Sequence, residues 1–380
     1  MFKGIFNYTN TLTLLIGISM LQLTACSDPE FSQKPPELVV QSVSAGKVDI
    51  LFVVDNSGSM YVEQVKMANS FPALLSGLEL NDLDYRIAIT TTDVVSSNNP
   101  RKSLGGLSAG ALQDGNLIKF PNGKTFLDVN SQDIQSQFRS VIQRKETLDC
   151  EGDDFVASKC PSGDERGIYA ANLAVKRNES DFFRSGSHIA IIFLTDEDVR
   201  GAGLSNPDRF KPQTGDYPET LIESVFEDLG ASHTLSSHSI VVNNETCRQS
   251  QLYQNGNENI LARIGTFYMR LSNPNNMSWL NNSKTLGQMA KNKLLFGTVG
   301  SICSSNYTSQ VGSILNILVQ DANKYVAKVD LDCTPEADTF NVESCPSGTT
   351  CRLNDDGKSV SFYPSLSPNQ TARISYLCYK

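Results

Sequence analysis

From Val48 to Met60 the chain reads VDILFVVDNSGSM. The unbroken apolar run from Ile50 to Val54, rich in β-branched residues, predicts a strand buried on both faces, the kind found inside a parallel sheet. It stops at Asp55-Asn56-Ser57-Gly58-Ser59, a packet of small oxygen-bearing residues. Open α/β sheets bind ligands at the carboxyl ends of their strands, so a polar packet there predicts a site. Asp55, Ser57 and Ser59 alternate, and one tight loop can aim their oxygens at one point. Oxygen donors without His or Cys suit a hard cation such as Mg2+ rather than zinc. The plainer reading is that Asp55 and the serines cap the helix that follows.

The body of the chain alternates strands and helices. Phe71, Leu74, Leu75 and Leu78 have the spacing of one buried helical face, and Pro72 predicts a kink or restart. Asp84 to Asp93, DYRIAITTTD, predicts a strand through Ile87 and Ile89, with Thr91, Thr92 and Asp93 closing it. Val94 to Gly115 is a long polar loop. Leu117–Phe120, Pro-Asn-Gly and Lys124–Val129 predict a hairpin. Ile134, Phe138, Val141 and Ile142 mark a helix capped by Asn130 or Ser131. A helix opens at Asp164-Glu165-Arg166-Gly167-Ile168 and runs toward Arg177.

A second strong strand, SHIAIIFLTDEDV from Ser187 to Val199, ends in another polar packet, Thr195-Asp196-Glu197-Asp198. Leu221 to Leu229 is amphipathic, Ser239–Val242 predicts a strand, and Ile260, Ile264, Phe267, Tyr268 and Leu271 share a helical face. Beyond the Asn-rich loop Ser272–Ser283, Leu294–Val299 predicts a strand, and Tyr307, Val311, Ile314 and Leu318 a last helix. The fold class is therefore α/β, a mostly parallel central sheet flanked by helices. Its two polar packets would lie on one edge of that sheet.

Asp-x-Ser-x-Ser after a buried strand resembles the metal-ion-dependent adhesion site of von Willebrand factor type A domains. The TTTD strand is also very similar to one in bacterial members of that family. The resemblance implies a Rossmann-like sheet and a divalent cation, Mg2+ with Mn2+ or Ca2+ as alternatives. It implies Asp55, Ser57 and Ser59 as the first set of metal ligands and Asp196 as the acid from a third loop. The family's Thr from a second loop has no counterpart in GDERGIYAANLAV; Glu165 or Asp164 falls near its place. A carboxylate there adds negative charge, which should tighten cation binding and weaken the ion's attraction for an acidic partner. Asp198 reads as a solvated loop acid; the alternatives are support behind the ligands or an accessory calcium ligand.

At the N-terminus, Lys3 precedes an apolar core from Leu12 to Leu23, too short to span a bilayer and placed as an export signal. It runs into Leu23-Thr24-Ala25-Cys26, which resembles the lipobox of bacterial lipoproteins. That resemblance implies lipidation of Cys26, a lipid as the membrane anchor, and, with Ser27 next, an outer-membrane address in the cell envelope. The expected organisation is signal 1–25, flexible tether 26–46, main domain 47–328 and a small disulfide-rich β module 329–380. Cys150, Cys160, Cys247, Cys303, Cys333, Cys345, Cys351 and Cys378 are disulfide candidates, with Cys150–Cys160 suggested by proximity.

Formal net charge is −9, which leaves no basic excess for nucleic acid. His188, His233 and His238 have no metalloprotease spacing, Ser57 lies in no Gly-x-Ser-x-Gly elbow, and there is no Walker loop. His188 reads as a strand-edge residue. No enzyme is expected. The expected function is metal-dependent binding of a protein partner through one of its acidic side chains; the alternative is an envelope scaffold whose site is structural or vestigial.

Overall fold

The structure is a computed structural model. It describes residues 37–41, 46–94, 113–149, 161, 164–200, 210–230, 233–252, 262–273, 294–295, 297–322, 326–331, 333–336, 338–366 and 370–377. The export signal, Cys26, most of the 94–115 loop, Cys150, Cys160, most of the 272–283 loop and Cys378 lie outside the described residues.

The chain opens with β1 (Glu37–Gln41), then β2 (Lys47–Val54), α1 (Tyr61–Leu80), β3 (Asp84–Thr91), β4 (Leu127–Asp128), α2 (Ile134–Ile142) and α3 (Lys145–Asp149). It continues through α4 (Gly167–Arg177), β5 (His188–Leu194), α5 (Pro218–Asp228), β6 (Thr234–Val241), α6 (Glu245–Leu252) and α7 (Thr266–Ser272). It ends with β7 (Leu294–Leu295), β8 (Val299–Ser301), α8 (Thr308–Ala322), β9 (Val326–Asp330), β10 (Asn341–Ser344), β11 (Thr350–Leu353), β12 (Ser359–Leu366) and β13 (Thr371–Ser375).

The central sheet has seven strands in the order β4-β3-β2-β5-β6-β7, with β8 also pairing β6. All its pairings are parallel except β4 on β3. Successive side chains of β2 go to opposite faces. Val48, Ile50, Phe52 and Val54 join the core under α1, α2 and α8, while Leu51 and Val53 join the core under α4, α5 and α7. Both faces are covered, which is why β2 is apolar throughout its second half rather than alternating. From β2 the chain moves to β3 on one side and later returns to β5 on the other. That makes the carboxyl end of β2 the switch point of the sheet, the place where open α/β sheets bind ligands.

At the opposite sheet edge, Asp49 is fully buried in β2. Arg184 satisfies it with Nε 2.8 Å from Oδ1 and its backbone N–H 2.7 Å from Oδ2, and also donates to the carbonyl of Asp84.

Several expectations change. Helix α1 runs through Pro72 without a restart. The Asn-Gly turn forms, with the Gly123 N–H donating to the Phe120 carbonyl, but β4 pairs with β3 instead of closing a hairpin ladder. The N-cap position of α2 is Asp133, in a left-handed conformation; Ser131 bonds back to Asp128 instead. Helix α7 begins only at Thr266, so Ile264 precedes it. The final strand expected over 294–299 is two short pieces, β7 and β8.

Strand β6 starts five residues before the apolar stretch that predicts it, because polar side chains there find partners inside the core. Ser236 Oγ lies 2.8 Å from His188 Nε2 and 2.9 Å from His238 Nε2, and His238 Nδ1 is 3.1 Å from Thr298 Oγ1. His188 is accordingly buried in a central strand, not at an edge. Burial lowers His238 from 6.5 to about 3. Between those values the unfolded chain binds a proton that the folded chain refuses. Stability from this group is therefore complete above pH 6.5 and falls as pH falls toward 3, by roughly 1.4 kcal/mol per pH unit. Urea unfolding at pH 6.5 and pH 5 should show His238→Gln losing about 2 kcal/mol less than the wild type over that interval.

The Cys247–Cys303 disulfide joins α6 to the turn after β8 across a sequence separation of 56. Cross-linking a loop of that length should stabilise the chain by about 4 kcal/mol. Urea midpoints of the oxidised protein and of the Cys247→Ala/Cys303→Ala variant measure that difference.

The C-terminal unit is two three-stranded antiparallel sheets, β1-β13-β10 and β9-β12-β11, around Val360, Phe362, Leu366, Ala372 and Ile374. Cys345 is bonded to Cys351, and Cys333 is also in a disulfide. Two boundaries shift. Glu37–Gln41, inside the span expected as tether, is a strand paired in register with β13. The expected break at 328/329 falls within β9, which pairs with β12. A short module gains core by recruiting a strand from before the main domain. Among the described residues no helix is long and apolar enough to cross a membrane.

Candidate functional site

The ends of β2, β3 and β5 meet because their registers align: Val54 pairs with both Thr91 and Leu194. The ladder continues one residue further, as the Asp55 N–H donates to Leu194 O and the Thr92 N–H donates to Val54 O. Asp55, Thr92 and Thr195 are thereby set side by side, all buried.

Asp55 is fixed at both oxygens. The Ser57 N–H donates to Oδ1 at 2.8 Å, an Asx turn that curls the loop, and the Thr195 hydroxyl donates to Oδ2 at 2.8 Å. Ser57 Oγ and Ser59 Oγ lie 3.1 Å apart, and Ser59 hydrogen-bonds Asp196. The short 3-10 turn Gly58–Met60 leads directly into α1, but Ser57 makes no side-chain cap bond there. Neither Asp55 nor the serines cap α1, so the plainer reading of the packet does not describe them.

A buried clamp supports this loop from behind. Gln64 donates to Asp55 O and Thr147 Oγ1 at 2.9 Å, Thr147 donates to Asn56 O, and Asn56 donates to Glu146, which pairs with Arg144. Nothing in the local sequence of α3 announces that role; the partners are some 80 to 90 residues apart.

Glu165 reaches the site through main-chain bridges that join Asp93, Glu165 and Arg200, and the Arg200 N–H donates to Glu165 O at 2.9 Å. The position of Glu165 is pinned further by the Gly167 N–H on the Tyr268 hydroxyl. Arg200, absent from the expected set, pairs with Glu165 and places Nε 3.0 Å from Glu197 Oε2. Glu63, from the first turn of α1, is also fully buried and is close enough to influence Asp196. Its spacing on α1 places it on the inner face, the one signal in the sequence that it belongs here.

Asp55, Glu165, Asp196 and Glu197 are all displaced upward from ordinary carboxylate values. Burial is the largest cause for each. Arg200 opposes the shift at Glu165, Glu197 and Asp55, whereas Asp55, Glu165 and Glu63 drive Asp196 well up. Glu197 is raised to about 8. Arg200 feels burial first, and its acidic neighbours outweigh it, holding it above its ordinary value.

The Thr91 and Thr92 hydroxyls and Glu165 Oε2 are buried with no hydrogen-bond partner. Orphaned oxygens beside crowded buried carboxyl groups are what a hard cation can satisfy. Among the described residues no three His, Cys, Asp or Glu side chains converge to hold an ion by themselves. Thr92, expected only to finish a strand, is brought beside Asp55 by the register of β3 on β2. Asp198 is not a solvated acid: it is buried and accepts the Thr266 and Phe267 N–H groups at the start of α7, which keeps it out of the cluster. Asp164 is buried as well.

No family model matches the chain, and no curated protein matches it. Among solved structures, it is similar to the pilus adhesin SpaC of Lactobacillus rhamnosus GG, at 12% identity and TM-score 0.33, over 90% of this chain and 40% of that one. The open conformation of SpaC gives a TM-score of 0.31 over the same shares. A mutant of the PilB minor pilin from Streptococcus sanguinis is similar at 9% identity and TM-score 0.34, over 74% of this chain and 63% of that one. The chain thus spans less than two thirds of each. Likeness at this level assigns neither fold family nor function.

Proposed function

We propose that the α/β unit is a von Willebrand factor A-type domain that binds a protein partner through a divalent cation. The ion, Mg2+ or Mn2+, would sit among Asp55, Ser57, Ser59 and Asp196, with Thr92 as the hydroxyl from the second loop. It would supply an open coordination position for a carboxylate oxygen of the partner. The observation that carries this reading is the convergence of Asp55, the two serines and Asp196 at the sheet's switch point, with unpartnered buried oxygens beside them. The chain's own residues hold and orient the ligands: Thr195 and the Ser57 amide fix the Asp55 carboxylate, and the α3 clamp fixes the loop.

The same proposal places the chain in the cell envelope, exported and lipid-anchored at Cys26, on the outer membrane. The Leu23-Thr24-Ala25-Cys26 sequence supports the anchor, and the Cys247–Cys303 and Cys345–Cys351 disulfides support an oxidising compartment. It assigns no catalysis: His188 stands at the opposite end of its strand from the site, and His238 is buried in mid-sheet.

Calorimetric titration of Mg2+, Mn2+ and Ca2+ into the purified full chain tests the ion, and pull-down from envelope fractions with and without chelator tests the partner. Saturable ion binding with chelator-sensitive capture supports the reading; the absence of ion binding sinks it. One observation favours a second reading, a scaffold with a vestigial site: Arg200 already supplies a positive charge to the cluster. In that case EDTA changes neither the melting temperature nor partner capture.

A further inference from the structure

Arg200 is the member of the cluster that the proposed ligand set leaves without a part to play. Its guanidinium is 3% exposed. It is held from two sides, by its ion pairs to Glu165 and Glu197 and by the main-chain bridge between residues 165 and 200. Such a side chain cannot swing freely; the backbone that positions Glu165 also positions Arg200. It turns Glu165 Oε1 and one oxygen of Glu197 toward itself, and its charge reaches Asp55. Two buried carboxylates of the cluster thus each spend an oxygen on an internal cation. Glu165 Oε2 is buried and has no hydrogen-bond partner.

We propose that Arg200 is a tethered cation that sets the ion preference of the site. By engaging Glu165 and Glu197 it limits the oxygens left for an ion and excludes Ca2+ in favour of Mg2+ or Mn2+. This rests on the ion-binding reading above. Ca2+ takes six to eight oxygens, often from bidentate carboxylates, in a flexible shell. Mg2+ accepts a tight octahedral shell of few protein oxygens and keeps several waters. With Arg200 in place, Asp55, Asp196 and the hydroxyls of Ser57, Ser59 and Thr92 make a sparse set that water must complete, which suits the smaller ion. The positive charge beside it also lowers affinity for any cation and keeps the site from filling with whichever ion is commonest. Without the guanidinium, Glu165 and Glu197 return to the shell as two further carboxylates, which raises both charge and coordination number.

Titration of Mg2+ and of Ca2+ into the full chain, wild type and Arg200→Gln, measures the two affinities and their ratio. The expected result is a Ca2+ affinity raised at least tenfold, a smaller gain for Mg2+, and so a shift of the ratio toward Ca2+. The ion-free variant should melt lower than wild type, because two buried acids lose their counter-charge, and Ca2+ should raise its melting temperature by more. Unchanged or reduced Ca2+ affinity in a folded variant overturns the inference while leaving the ion-binding reading intact. A wild-type chain that binds neither ion overturns both. If Arg200→Gln does not fold, the charge-balanced pair Arg200→Gln with Glu197→Gln frees Glu165 alone. It is expected to move the ratio in the same direction by a smaller factor, and an unmoved ratio overturns the inference. A merely structural Arg200 would change stability without changing that ratio.

Discussion

Asp55→Asn is expected to abolish the response to divalent cations and, in EDTA, to raise the protein's melting temperature. The substitution preserves shape. The Asn carbonyl can keep the Ser57 N–H, and its amide can donate to Thr195, whose hydroxyl can turn to the Glu197 carbonyl 3.2 Å away. What disappears is one negative charge, buried among Glu165, Asp196 and Glu197. Burial outweighs what Ser57, Thr195 and Arg200 contribute at Asp55, so removing the carboxyl should stabilise the ion-free fold by about 1–2 kcal/mol, the order by which neutral replacement of buried charges stabilises. Removing a ligand should weaken ion binding by roughly 100-fold or more, given that even residues behind the ligands cost 10–100-fold. Thermal melts with EDTA and with Mg2+ separate the two effects. A variant that still gains stability from Mg2+, or that melts lower than wild type in EDTA, would contradict the assignment of Asp55 to an ion.

Gly297→Ala should be the most damaging small substitution in the described chain, costing more than about 4 kcal/mol. A Cβ at Gly297 would stand 1.4 Å from Ser237 O, and main-chain atoms have no rotamer by which to yield. Gly297 lies where the segment before β8 slides against β6. Its N–H donates to Ser272 O at the end of α7, and the Thr298 carbonyl receives the Ser239 N–H. Displacing it peels β8 from β6 and loosens α7, which carries the Tyr268 hydroxyl that anchors the entry to α4 and so Glu165. Gly312, in the middle of α8, is the matched control: nothing lies within 4 Å of its added Cβ. Gly312→Ala should instead stabilise by about 0.5–1 kcal/mol, through helix propensity. Urea unfolding of the pair checks both; equal effects would mean that the close approach at Gly297 is not rigid.

Local residue pattern was enough to read the sheet and the edge at which its two polar packets lie. The run Ile50–Val54 is apolar at every position, and only a strand covered on both faces allows that, so helices on both sides followed. The packets at Asp55 and Asp196 sit directly after two such strands. Parallel neighbours have their carboxyl ends on one edge, so the two had to meet. The core faces of α1, α2 and α8 were legible for the same reason: Phe71, Phe138 and Leu318 recur at helical spacing and all are buried.

Where reading failed, the missing information was a partner distant in the chain. β6 carries Ser236, Ser237 and His238 at buried positions, a pattern that denies a strand until His188 and Ser272 supply the hydrogen bonds. β1 is too short and isolated to declare itself as a strand until β13, more than 300 residues later, offers an edge. Asp198 looked solvated because its partners, the amides of α7, lie nearly 70 residues on. The site divides in the same way. Periodicity and the alternation of oxygens name Asp55, Ser57, Ser59 and Asp196, since a strand and its loop are local. Thr92, Glu63 and above all Arg200 join them only because the ends of β2, β3 and β5 and the start of α1 meet at one edge of the sheet. The charge balance there is a sum over loops that no single stretch of sequence contains.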